Sequence, residues 1–187
     1  MYKRQTTLRL SSALTEIDDY VFHGCKGITT LHLPDTVVVI GDHAFLGCSG
    51  ITTLRLPNKL TMICDGAFYD CSGITTIHLP DTLAEIGRSA FQGCTGITTL
   101  HLPDTLAEIG EWAFCDCLGL SRVLVPGTLV SNKIANTAKV FKDCPVLKTN
   151  GGPGLTHLSS IKLTRRQHWH ETMHRLWTSP LALRTAC

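Results

Sequence analysis

The sequence predicts a solenoid in which one short unit is wound repeatedly and each copy stacks on the last. Three observations predict it. Four units of 23 residues, 28–50, 51–73, 74–96 and 97–119, align without a gap. All six phenylalanines occupy a single repeat position, and six of the nine cysteines occupy another. A unit this short cannot bury its own apolar face, whereas stacked neighbours make a continuous core.

Each part of the unit has a physical reading. In the unit beginning at Ile28, Leu31 and Leu33 alternate with the polar Thr30 and His32, the pattern of a short half-buried strand. Pro34 follows and has no N–H to donate, so it ends the ladder. An LxxI-like stretch comes next, then Ala-Phe in most units, then cysteine. The phenylalanine column (Phe22, Phe45, Phe68, Phe91, Phe114, Phe141) is predicted to be a core spine. Two units at the margins depart from the rule. Unit 5–27 has Ser11 in place of the proline, and unit 120–146 carries four extra residues before Val140, Phe141 and Cys144.

The cysteine column comprises Cys25, Cys48, Cys71, Cys94, Cys117 and Cys144. An inward free thiol acts as a small hydrophobe and a weak hydrogen-bonding group. Like residues of adjacent coils lie about 5 Å apart, a distance compatible with disulfides. A uniform column has no natural pairing, however, so reduced structural cysteines are expected. Cys64, Cys115 and Cys187 stand outside the column, and the Cys115-x-Cys117 pair is too small a set for a metal site.

These residues resemble the BspA-like leucine-rich repeats, whose unit runs LxxLxLPxxLxxIgxxAFxxCxx, over residues 5–146 in units 5–27, 28–50, 51–73, 74–96, 97–119 and 120–146. The resemblance implies an α/β solenoid, a right-handed superhelix with a parallel β-sheet on its concave face and short turns or helical segments outside. It also implies a binding protein, of a family with many members displayed on cell surfaces as adhesins.

On such a strand the third and fifth positions of the unit face away from the core. The third gives Thr7, Thr30, Thr53, Thr76 and Thr99, then Arg122; the fifth gives Arg9, His32, Arg55, His78 and His101, then Leu124. Cations or ionisable histidines therefore recur in five consecutive coils. Arginine stays charged at any working pH, and imidazoles as a class titrate near about 6.5. The two columns are the candidate ligand-binding surface for an acidic protein partner whose binding tightens on acidification. The competing reading is a solvated strand face copied by repeat duplication. The acids Asp35, Asp81, Asp104, Glu85 and Glu108 read as solvated residues of the outer turns, since they lack the Asp/Gly density of calcium-binding repeats.

Composition sets the remaining bounds. The 187 residues are 43% hydrophobic, enough for a buried core. No apolar run approaches the roughly 20 residues of a membrane span. Residues 1–146 hold 11 Lys/Arg against 14 Asp/Glu, a net of −3, whereas 147–187 hold 6 against Glu171 alone, a net of +5. The opening residues lack a signal-type apolar stretch, which read literally keeps the chain inside the cell. Repeat sequence that starts at Gln5 without a cap points instead to a truncated N-terminus and a cell-surface protein.

The basic segment 147–187 breaks the period at Gly151, Gly152 and Gly154. A degenerate repeat strand is expected at 158–163 and a capping helix at 165–178, opened by a Thr164–Gln167 capping box and stopped by Pro180. Within that helix His170-Glu171-Thr172-Met173-His174 is a literal HExxH, which makes His170 and His174 the candidate zinc ligands. No His, Asp or Glu follows to supply a third ligand, so no metal and no cofactor is expected. The sequence thus predicts a non-enzymatic protein-binding or scaffold module, adhesin-like or an accessory subunit of a larger assembly, with no nucleic-acid partner. The alternative is a zinc-dependent hydrolase.

Overall fold

The computed structural model describes residues 6–124 and 137–146. The strand expected at 158–163, the capping helix at 165–178 and the His170/His174 motif lie outside the described residues. Within them the chain is a parallel-strand solenoid. Its long-strand face comprises β1 (Thr6–Arg9), β3 (Ile28–His32), β5 (Thr53–Arg55), β7 (Thr76–His78), β9 (Thr99–His101) and β11 (Arg122–Leu124). The first four form one ladder in the order β1-β3-β5-β7, and β9 pairs with β11. Every pair is parallel, and apart from a shift between Thr6 and Thr7 the register follows the repeat: Thr53 faces Thr76, Arg55 faces His78, and Leu124 faces His101.

A second ladder, which the sequence did not predict, runs along another side. It consists of the two-residue strands β2 (Glu16–Ile17), β4 (Val39–Ile40), β6 (Met62–Ile63), β8 (Glu85–Ile86) and β10 (Glu108–Ile109), joined in that order. A third line of inter-coil bonds passes through the Ala-Phe turns: Phe22, Phe45, Phe68 and Phe91 each donate their backbone N–H to the alanine carbonyl of the following coil at 2.8 Å. These three lines explain how so little regular structure satisfies a buried backbone.

The expected helical segments on the outside are largely absent. Helix among the described residues is confined to the distorted last unit, in the four-residue α1 (Thr137–Val140) and at residues 145–146. The α/β expectation therefore gives way to a β-rich solenoid, for a reason that lies in the backbone. Tyr20, His43, Gly66, Ser89 and Trp112 share one repeat position and all have φ between 53° and 62°. Four residues on, Gly24, Gly47, Asp70, Gly93 and Asp116 are left-handed as well. Two left-handed residues per coil cannot be accommodated in a right-handed helix.

The core is the stack the repeat implied. Phe45, Phe68, Phe91 and Phe114 are fully buried, and adjacent rings in the column stack nearly parallel with centroids 5.1–5.7 Å apart. The cysteines beside them are free thiols. Each of Cys48, Cys71, Cys94, Cys117 and Cys144 donates its S–H to the carbonyl of the phenylalanine one coil earlier, at 3.0–3.3 Å. Burial pushes the thiols of Cys71, Cys94 and Cys117 well above the ordinary range, so they remain protonated donors.

Candidate binding groove

The long-strand face positions the candidate residues. Leu54, Leu100 and Val123 point into the core, so their strand neighbours point out. Thr7, Thr30, Thr53, Thr76 and Arg122 are exposed and Thr99 is half-buried; Arg9, His32, Arg55, His78 and His101 are all exposed. The column ends at the exposed Leu124.

Three of these residues come together in an open groove of about 540 Å³ that also takes in Asp35, Asn58 and Asp81. His32, Arg55 and His78 line it from the ends of β3, β5 and β7. Leu31, Leu33, Leu56, Leu79, Pro57 and Pro80 complete the lining. Arg9, His101, Arg122 and the threonines share the face without lining this groove.

Asp35 and Asp81 are exposed turn residues, as the sequence suggested, and they also line the groove. The tetrapeptides His32–Asp35 and His78–Asp81 carry the signal, because the proline sets a fixed bend and the acid re-emerges beside the strand end. The groove is therefore amphoteric. With both imidazoles neutral, Arg55, Asp35 and Asp81 sum to −1; with both charged, the sum is +1.

The turns along the groove are braced by the neighbouring coil. Thr82 Oγ1 donates to the carbonyls of Asn58 at 2.9 Å and Leu60 at 2.8 Å, and Leu60 donates its N–H to Pro57 O at 3.1 Å. Thr36 ties down the carbonyls of Ser12 and Leu14 in the same way.

Two further polar clusters were not predicted from sequence. Asp19, Asp42 and Asp65 form a ladder in which each Oδ1 accepts the backbone N–H of the next coil, at 2.7, 3.0 and 2.7 Å. Burial, with Asp65 and Asp19 adding charge, raises the Asp42 carboxyl, although the Asp65 N–H bond opposes the rise. Beside the ladder, His43 is buried, stacks on Tyr20 at 4.9 Å, and is held below the ordinary imidazole range chiefly by burial. The Cys64 thiol is pushed up to about 12, first by burial and then by Asp42 and Asp19. Further along, Arg88 lies 4.2 Å over the Trp112 ring.

In the other cluster, ligand atoms of Cys115, Asp116 and Asp143 fall within 4.8 Å of one another. Burial first, then the hydrogen bond and charge of Asp116, push Cys115 up to about 12. Its S–H donates to Asp116 Oδ2 at 3.4 Å. No helix among the described residues is long and apolar enough to cross a membrane.

Comparison with known proteins gives the family. A crystal structure of a T. pallidum leucine-rich repeat protein is similar at 32% identity and a TM-score of 0.71, over 76% of this chain and 67% of that one. A leucine-rich repeat protein from Bacteroides ovatus is 32% identical with a TM-score of 0.65, over 72% of this chain. A leucine-rich cell surface protein from Faecalibacterium prausnitzii is 28% identical with a TM-score of 0.56, over 65% of this chain. The chain spans 34% and 35% of the length of these last two. No curated protein matches it. The model of the BspA-type leucine-rich repeat region matches residues 15–148 in six copies. The chain, with its 23-residue period, therefore belongs to the BspA-type leucine-rich repeat family.

Proposed function

We propose that this chain is a non-enzymatic scaffold that binds a protein partner through its long-strand face, the concave face of such a solenoid. Arg9, His32, Arg55, His78 and His101 form the charged row of that surface, Thr30, Thr53, Thr76 and Thr99 the neutral row, and Arg122 its end. The partner presents acidic groups. The carrying observation is the parallel pairing of β5 with β7, which sets Arg55 beside His78 and leaves their side chains exposed. Parallel strands lie about 4.8 Å apart, so the row offers closely and evenly spaced charges to one extended surface. Display on a cell surface, as the name of the F. prausnitzii protein states for that protein, and service as an accessory subunit both fit such a face.

The experiment is a charge reversal. The pair Arg55→Glu, His78→Glu changes exposed side chains and leaves the core intact. It is expected to weaken capture of the partner by at least about tenfold, as like-charge contacts across an interface cost on the order of 1–3 kcal/mol. Unchanged capture by a folded double variant would remove the long-strand face from the function.

A further inference from the structure

We propose that the groove seats one carboxylate of an acidic peptide segment between Arg55 and Asn58. The inference rests on the long-strand face being the binding face, and it names what that face takes. It starts from a break in the repeat. In three coils the strand-end ring is followed, past the proline, by an aspartate: His32 with Asp35, His78 with Asp81, His101 with Asp104. The coil between the first two has Arg55 with Asn58 instead. The one permanent cation among the groove residues thus belongs to the one groove coil that lacks the acid.

The chemistry of that coil suits a carboxylate. A guanidinium meets a carboxylate with two parallel N–H donors, and a primary amide adds two more. The scaffold around them is set before any ligand arrives. Arg55 ends β5, the strand paired with β3 on one side and β7 on the other. The carbonyl of Asn58 is held by Thr82 from the next coil. Leu56 and Pro57, both buried, fix the chain between the two donors.

The flanking groups limit what the seat takes. Lining the groove from β3 and its turn are His32 and Asp35, and from β7 and its turn His78 and Asp81. Outside them stand Arg9 on β1 and His101 on β9, with Lys59 next to Asn58. The two aspartates confine an acidic ligand to a single carboxylate at the middle coil, beside Arg55.

The probe is an end-blocked hexaglutamate peptide, titrated into the whole chain at low salt and followed by chemical-shift changes, with hexaglutamine and hexalysine as controls. Hexaglutamate is expected to bind at least about tenfold more tightly than hexaglutamine, with the largest shifts at residues 55–58 and the flanking strand ends. Asn58→Asp should weaken binding about tenfold, and Lys26→Gln, exposed and away from the groove, serves as the unaffected control. Binding of hexaglutamate that ignores Asn58→Asp would overturn the seat. Preferential binding of hexalysine would overturn it too, while leaving the long-strand face as a partner surface. No shift on that face with any peptide, together with partner capture unaffected by the charge reversal, would remove both readings.

Discussion

His43 shows how much a single repeat position can hold. Its backbone is left-handed, its ring is 6% exposed, Tyr20 covers one face, and the aspartate ladder lies alongside. Burial wins over the nearby acids and keeps the imidazole neutral below its ordinary range. The unfolded chain therefore takes up this proton first. The stability this residue contributes is complete above about 6.5 and is lost as pH falls below that value. Asp42 acts in the opposite sense: its folded carboxyl is raised, so it gains stability as pH falls towards about 3.9. His43→Asn keeps a residue tolerant of positive φ and removes the titration. Urea midpoints measured between pH 7 and 5 should fall less steeply in the variant, and identical slopes would exclude His43 as the group responsible. None of this was visible in the sequence, where His43 is one histidine at a position shared with tyrosine, glycine, serine and tryptophan.

That position also carries a lesson at the scale of the element. Five residue types at one left-handed site gave no glycine signal, so the sequence left room for helical segments that the backbone does not allow. Glycine's role is testable by comparing two sites. At Gly24, φ is +73° and an added Cβ meets open space; at Gly66, φ is +62° and an added Cβ would sit 2.6 Å from the His43 ring. Gly24→Ala should cost about 1 kcal/mol for the backbone alone. Gly66→Ala should cost at least about twice that, because the buried ring must shift as well. Denaturant unfolding distinguishes the two, and equal losses would mean that the Gly66–His43 contact is soft. The long strands were legible for the opposite reason: their alternation of leucine with threonine or histidine is a period of two with one buried face. The two-residue strands of the second ladder were not, since a single Glu-Ile or Val-Ile pair carries no period.

Across the whole molecule, the stacking order was legible because a core residue must recur at every coil, and phenylalanine and cysteine do. The hydrogen bond from each thiol to the preceding phenylalanine carbonyl explains why cysteine recurs rather than alanine, and the sequence could only hint at it. The outward row was legible as well, but not the shape it lines. Asp35 and Asp81 are the exposed turn residues the sequence suggested, but a strand pattern that stops at proline did not show that they also line the groove with the strand-end residues. The charge of the surface is thus a property of adjacent coils rather than of one column. A photo-crosslinking residue placed at Thr53, exposed on the long-strand face, and separately at Ser72, exposed outside the strands, tests the binding face most directly. A partner held on the long-strand face predicts an adduct from Thr53 and none from Ser72; an adduct from Ser72 alone would contradict it.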